Sequence, residues 1–254
     1  MDDLTTGCDN LTELKNMQQQ IIHILNSYGF KLRKWCANHP SLLNEIPSED
    51  REIKLDITSN KAENIKALGI AWNPAKDHIS IKAYLETDYK ITKRQILSDI
   101  VKLFDPLGLL SPVVVVAKLI LQQIWKEKID WDQAVTGVTM RSWVHLRNQM
   151  KLLNEINLPR YALLSDAKEI ELHGYSDASM RAYGAVVYVQ SVDKSGNIKI
   201  NLLASKSKVA PLKIQTLPRL ELCAAVQLVK LMEKVSKALN LKDKHIIYGF
   251  NNRP

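Results

Sequence analysis

The runs EIELHGYSDAS at residues 169–179, AYGAVVYVQSV at 182–192 and NIKINLLASKSKV at 197–209 decide how this chain folds. Each has the composition of a strand, and the short turns between them favour an antiparallel meander. Next comes LPRLELCAAVQLVKLM, which predicts a long helix over 218–239 with an apolar set of Leu222, Val226, Val229, Met232 and Val235. HIIYGF at 245–250 predicts one more strand. The order of three strands, helix and strand predicts an α/β domain.

The sequence before this region predicts helices and a small hairpin. Apolar spacing predicts a helix over 11–28, and the composition predicts short strands over 32–35 and 53–57. The runs 67–72 and 78–85 flank the turn-forming segment NPAKD. Residues 92–158 predict a helical region in which DPLGLLSP separates the first two helices. The fold class expected for the whole chain is therefore mixed α and β.

Composition and charge exclude several classes of protein. The 254 residues carry 35 Lys and Arg against 27 Asp and Glu, a net charge of +8, and 46% are hydrophobic, which excludes disorder over most of the chain. Between Asp193 and Glu221 no acidic residue occurs. Six basic residues do: Lys194, Lys199, Lys206, Lys208, Lys213 and Arg219. Such a segment suits a phosphate backbone, although a solvated lysine-rich face is the plain alternative.

Two carboxylates stand where metal chemistry could use them. Asp177 lies near the end of a predicted strand, and Glu221 lies one turn into the long helix. Carboxylates from a strand end and the next helix can converge on a divalent ion, and magnesium prefers such hard oxygen ligands. By spacing alone, the alternative that both are solvated surface residues remains open.

The segments HGYSDASMRAYGAVVYV and LLASKSKVAPLKIQTLPRLELCAAVQLVKLM resemble the ribonuclease H region of BEL/Pao (Pao) retrotransposon polyproteins. The resemblance implies a ribonuclease H-like domain over residues 161–254. It also implies that Asp177 and Glu221 are catalytic ligands of Mg²⁺ or Mn²⁺. Lys206, Lys208, Lys213 and Arg219 would then hold an RNA–DNA hybrid or another nucleic acid.

The resemblance continues upstream. Residues 91–132 are similar to the family's linking region between polymerase and ribonuclease H, which implies a helical thumb and connection over 91–160. The first residues, MDDLTTGCDN, look like the segment that begins at the reverse-transcriptase Tyr-X-Asp-Asp signature. This implies that residues 1–90 are the C-terminal part of a palm, with Asp2 and Asp3 as two of its polymerase carboxylates.

Two departures from the family pattern limit the expected activity. A polymerase also needs a third carboxylate, the fingers and the template-binding palm, which in the family lie upstream of that signature. We therefore expect no polymerisation by this sequence alone. In the ribonuclease H part, a Ser/Thr-Asp-Ser element usually follows the strand after the long helix, whereas this chain reads YGFNNRP, with Asn251 in the aspartate's place. We therefore expect a truncated Pol polyprotein fragment that is catalytically incomplete by itself and partners with the rest of the polyprotein in an intact element. The alternative is a non-enzymatic nucleic-acid-binding or inert remnant.

Other classes of function find less support. SDAS and SDAK lack the glycine of an aspartic peptidase loop, and the odd, dispersed cysteines fit a reducing compartment. Neither a membrane span nor an export signal is readable, so we expect a cytoplasmic or nuclear location with no membrane partner. Trp125, Trp131 and Trp143 could stack on nucleic-acid bases, but their helical surroundings favour a role in the core.

Overall fold

The computed structural model describes residues 4–52, 64–67, 70–83, 90–241 and 246–250. The chain divides into two compact units, one formed by Met1–Lys82 with Glu155–Arg160 and the other by Ala83–Asn154 with Tyr161–Pro254. The expected division into palm, helical and ribonuclease H-like parts at residues 90 and 160 stays a prediction. Within the described residues, no helix combines the length and the apolar character needed to cross a bilayer.

The first unit contains one long helix and a small antiparallel sheet. Helix α1, Leu11–Ser27, begins at Asn10, whose side chain accepts hydrogen bonds from the backbone of Thr12 and Glu13, and Gly29 follows its end with a φ of 77°. The sheet consists of β1 (Ile65–Ala67), β2 (Ile70–Asn73), β3 (His78–Ser80) and β4 (Asn157–Pro159), in that order. The predicted α1 helix and the hairpin of β2 with β3 are confirmed.

An ion pair joins β3 and β4, two neighbouring strands of this sheet that are far apart in sequence. Arg160, just after β4, donates to both carboxylate oxygens of Asp77, just before β3, at 2.6 and 2.9 Å. The indole of Trp72 donates to the same carboxylate at 2.9 Å. Burial raises the pKa of Asp77, but the hydrogen bonds from Arg160 and Trp72 and the arginine charge outweigh it and hold that pKa below its usual value.

The second unit starts with three helices: α2 (Lys93–Lys102), α3 (Ser111–Lys126) and α4 (Gly137–Met150). Trp143 of α4 is fully buried, as the core interpretation expects. Trp125 and Trp131 are instead about half exposed, and both rings lie against the ammonium group of Lys93, whose Nζ is 3.4 and 4.7 Å from the ring centroids. Cation–π attraction therefore occupies these two indoles within the protein itself.

A four-stranded sheet and one helix complete the second unit. Strands β5 (Ala167–Ala178), β6 (Ala182–Asp193) and β7 (Ile198–Val209) form the predicted antiparallel meander. Helix α5, Leu217–Ala238, then crosses back over the sheet, and β8, Ile246–Phe250, pairs in parallel with β5. The strand order is β7-β6-β5-β8, with β5 and β6 in the centre of the sheet.

Helix α5 packs on one face of this sheet through a different set of residues than the sequence suggests. Its buried positions include Leu220, Ala224, Leu228 and Met232. By contrast Leu222, Val226 and Val229, which were expected on the apolar face, are 65%, 47% and 50% exposed. This part of the prediction is wrong, because α5 is apolar on more than one side and its spacing alone does not show which side meets the sheet.

The core between α5 and the sheet is closely packed. Leu172, Val187 and Val189 of the strands and Leu228 and Met232 of the helix are all fully buried. Gly174 provides the room for the helix, since a Cβ there would lie 2.8 Å from Leu228 Cδ1 and 3.0 Å from Met232 Sδ. The glycine thus sets the close approach of α5 to β5.

The segment before α3 contacts the edge strand β7. The backbone amide of Ser205 donates to the carbonyl of Leu107 at 2.9 Å, and the Ser205 hydroxyl donates to the carbonyl of Gly108. Gly108 has a φ of 75°, and a Cβ at this position would overlap the backbone carbonyl of Ser205. Only glycine therefore fits where the helical segment crosses β7.

Candidate metal and nucleic-acid site

Three elements of the second unit meet at one edge of the sheet, the edge formed by the carboxyl ends of strands β5 and β8. Strand β5 ends at Ala178, and its parallel neighbour β8 reaches the same level, since Ser176 pairs with Phe250. Helix α5 runs antiparallel to β5, so that its first turn returns to this edge. The carboxyl ends of adjacent parallel strands are a common place for ligand sites in α/β folds.

Asp177 is the second-last residue of β5 and is exposed. Its Oδ1 accepts a hydrogen bond from the backbone amide of Ala178 at 2.9 Å. Because side chains alternate along a strand and Gly174 faces α5, Asp177 projects from the opposite face, together with Tyr175. Its carboxylate is therefore open to solvent at the end of the strand.

Glu221 lies in the first turns of α5 and is also exposed. It belongs to the same helical row as Leu228 and Met232, the two residues that contact Gly174 of β5. Moving from Leu228 back to Glu221 covers roughly 10 Å of helix, and moving from Gly174 forward to Asp177 covers roughly 10 Å of strand. Both carboxylates therefore lie toward the same end of the sheet but on its two opposite faces, so their expected convergence on one ion stays a prediction.

Other residues of the predicted site cannot be placed. Asp2 and Asp3, expected as polymerase carboxylates, lie outside the described residues, and so does Asn251. In the part of the chain that is described, no three or more His, Cys, Asp or Glu side chains are grouped so that they could share a metal ion. Asp177 and Glu221 are thus a pair of carboxylates rather than a described cluster.

The region that contains α2 to β8 matches the sequence of a known domain family. Residues 92–251 match the sequence model of the family described as Pao retrotransposon-like RNaseH-like domain. The chain belongs to this family. The match begins at Thr92, the residue that caps α2, and extends just past β8.

Among the solved structures similar to this chain are those of the foamy viral protease-reverse transcriptase dRH and of the foamy viral protease-reverse transcriptase, each in complex with double-stranded DNA. One is 13% identical over 75% of this chain and 38% of the other, with a TM-score of 0.37. The second is 14% identical over 76% of this chain and 46% of the other, with a TM-score of 0.30. This chain therefore spans less than half the length of either. No curated protein sequence matches it.

The four basic residues proposed for nucleic-acid contact are all exposed in this Pao domain. Lys206 and Lys208 lie near the end of the edge strand β7, and Arg219 lies in the first turn of α5. Lys213 is in the loop that joins these two elements. All four therefore lie in one continuous segment that ends beside Glu221, so the positive charge and the carboxylates share one edge of the sheet.

The flank of α5 that faces β7 is held by polar contacts. The Gln227 side chain, buried in the Pao domain, donates to the backbone carbonyl of Lys206 at 2.6 Å. Nearby, burial raises the pKa of Tyr183 on β6, and the thiol of Cys223 on α5 raises it further. The sequence singled out neither Gln227 nor Tyr183, because the contacts that give them a role join residues far apart in the chain.

A cleft that the sequence did not indicate opens next to the same edge. Its walls come from α3, α4, the turn between β5 and β6, and the loop between β7 and α5. Met180 and Arg181 of that turn lie three and four residues after Asp177, and Gln215 lies just before α5. No spacing rule connects these four segments, so only the folded Pao domain reveals the cleft.

Proposed function

We propose that this chain is a segment of a retrotransposon Pol polyprotein whose ribonuclease H-like domain binds an RNA–DNA hybrid. The observation that carries the proposal is the Pao family match over residues 92–251, a region that includes the exposed carboxylates of Asp177 and Glu221. We further propose that residues 1–90 derive from the reverse-transcriptase palm and residues 91–160 from the thumb and connection region. The rest of the polyprotein would then be its partner.

Asp177 and Glu221 fit a divalent metal ion by their chemistry. Both are exposed carboxylates, and hard oxygen ligands of this kind suit Mg²⁺ or Mn²⁺. Since the two side chains come from opposite faces of the sheet, an ion that they share would have to lie beyond the end of β5. A bound ion would supply charge stabilisation for the attacking and leaving oxygens of phosphodiester hydrolysis.

The basic segment contributes affinity and orientation. Lys206, Lys208, Lys213 and Arg219 would neutralise phosphates of the hybrid, which releases condensed counterions and makes binding sensitive to salt. Because this segment leads into the turn that carries Glu221, a strand held by it passes the two carboxylates. The protein would thus direct the RNA backbone toward the sheet edge.

Two carboxylates hold a magnesium ion weakly. Each negative ligand that is missing lowers the electrostatic attraction for an ion that keeps its own water strongly. We therefore propose that the isolated chain binds hybrid and hydrolyses it slowly at most. The second candidate function is nucleic-acid binding without chemistry, which the exposed basic residues of the segment 206–219 would supply by themselves.

The test uses the purified chain with an RNA–DNA hybrid in the presence of Mg²⁺ or Mn²⁺, followed by gel analysis of the RNA strand. Any cutting should require the metal and disappear in Asp177→Asn and Glu221→Gln. The matched control is Glu169→Gln, an exposed carboxylate at the opposite end of β5. Cutting that persists in Asp177→Asn would refute the assignment of the site.

Metal binding supplies a readout that does not depend on hydrolysis. Paramagnetic relaxation by Mn²⁺ should report weak binding that Asp177→Asn and Glu221→Gln both reduce, while Glu169→Gln matches the native protein. If Mn²⁺ relaxation is the same in all four proteins, the two carboxylates do not share an ion. Salt-sensitive hybrid binding with neither cutting nor Mn²⁺ binding would favour the non-enzymatic function.

A further inference from the structure

The cleft beside the sheet edge has a volume of about 370 Å³. Ligand pockets for small molecules start near this size, at roughly 300 Å³. All of its lining residues belong to the second compact unit. Its lining includes Met180, three residues after Asp177, and Gln215, six residues before Glu221.

The cleft exposes apolar side chains. Ile214 is 86% exposed, Leu212 59% and Met180 55%. Ile214 and Leu212 belong to the loop that follows β7, and Met180 faces them from the neighbouring turn as part of the same lining. Grouped apolar surface of this kind on a soluble domain commonly marks a binding site.

The polar part of the lining is cationic and rich in amides. Lys126 from α3 and Arg181 from the β5–β6 turn supply positive charge, and Glu127, behind the wall, accepts hydrogen bonds from the lining residues Gln123 and Thr139. The amides are those of Gln122, Gln123 and Gln215, each of which also donates one hydrogen bond within the protein. A matching ligand therefore combines negative charge, an apolar surface and polar edges.

We propose that the cleft binds one nucleotide of a single-stranded extension of the hybrid, just beyond the duplex that the basic segment would hold. A nucleotide has the required combination, since its phosphate suits Lys126 and Arg181 while its base presents apolar faces and hydrogen-bonding edges. The inference rests on the proposed function, because the single strand continues from the hybrid that the basic segment would hold. Met180 and Ile214 would contact the base, and the glutamine amides would bond its edge.

The probes are a fluorescein-labelled thymidine decamer and a blunt RNA–DNA hybrid of ten base pairs, each titrated by fluorescence anisotropy at several salt concentrations. Ile214→Ser should weaken decamer binding about threefold to tenfold through lost apolar contact and leave the salt dependence unchanged. Arg181→Gln should make the negative slope of log K against log salt shallower by about 0.7, the value for one phosphate contact on a single strand. Hybrid binding should change little in either variant.

The control variant is Ile198→Ser. Ile198 is 63% exposed at the opposite end of β7 and does not line the cleft. It should bind the decamer like the native protein. A loss equal to that of Ile214→Ser would show a general effect of removing surface apolar groups and would overturn the assignment.

The outcomes separate this inference from the proposed function. If the native protein and both cleft variants bind the decamer equally, while all bind the hybrid, the cleft assignment fails and the proposed function stands. If the native protein binds neither probe, both fail. Binding of an acidic, leucine-containing peptide that Ile214→Ser abolishes, without any loss for the decamer, would assign the cleft to a protein partner and overturn the proposal.

Discussion

The buried amide of Gln227 on α5 donates a hydrogen bond of 2.6 Å to the backbone carbonyl of Lys206 on β7. This bond connects the long helix to the edge strand at the position of a proposed phosphate contact. Its donor is 7% exposed, so water has little access to replace it. The geometry of the basic flank therefore depends on a residue that itself carries no charge.

Replacing this side chain tests its structural role. Gln227→Met keeps the volume and removes the donor, and we expect the free energy of unfolding in urea to fall by about 1 to 2 kcal/mol. Gln149→Met on α4, whose side chain is exposed, is the control and should unfold like the native protein. If the two variants are equally stable, the bond to Lys206 contributes nothing to stability.

Gly108 offers a test of the crossing between the helical segment and β7. Gly108→Ala places a Cβ against the backbone of Ser205, in addition to the cost of a positive φ for alanine, which is about 1 kcal/mol. Gly196→Ala is the matched control, because Gly196 has a φ of 83° and nothing within 4 Å of its Cβ position. We expect the denaturant midpoint to fall distinctly further in Gly108→Ala.

Equal midpoints for the two alanine variants would show that the backbone conformation alone sets the cost. The contact with Ser205 would then be loose enough to accommodate a methyl group. A larger loss at Gly108, together with unchanged stability of the first unit, would confirm that this glycine permits the close approach within the second unit.

The low pKa of Asp77 predicts how the stability of the first unit depends on pH. Its pKa is held below the ordinary value of 3.8 in the folded state, so its contribution is fully present above that value and is lost as the pH falls through the folded pKa. The stability difference between the native protein and Asp77→Asn should therefore be constant at neutral pH and shrink only in acid. Urea unfolding at a series of pH values measures it.

A second carboxylate provides the comparison for this titration. Asp132 pairs with Arg94 at 2.7 Å, but both side chains are largely exposed, so solvent screens the pair. Asp132→Asn should accordingly change stability less than Asp77→Asn at neutral pH. A difference for Asp77→Asn that grows as the pH is lowered would contradict the direction of the pKa shift.

The basic segment predicts a salt effect on hybrid binding. Lys206→Ala and Lys208→Ala should each weaken binding. Each should also make the negative slope of log K against log salt shallower by about 0.9, the value for one duplex phosphate. Lys168→Ala, at an exposed position near the start of β5, is the control and should keep the native slope. Slopes that do not differ among the three variants would place the hybrid elsewhere on the protein.

Short-range patterns in the sequence were sufficient to predict most of the helices and strands. The meander, the long helix and the last strand lie where composition and turn residues predict them, because those preferences act over a few neighbouring residues. One failure concerns the segment 32–35, expected as a strand, where only an isolated bridge between Trp35 and Arg51 forms. The expected strand at 53–57 lies outside the described residues.

Residue chemistry alone thus determined that this protein has an acidic pair, a basic run and the elements of an α/β domain. Only the tertiary structure decided which side of α5 is buried, that β8 lies parallel beside β5, and that Met180 and Ile214 line one cleft. The physical reason is that helical and strand preferences are local, whereas burial and side-chain neighbours depend on contacts between segments far apart in the chain.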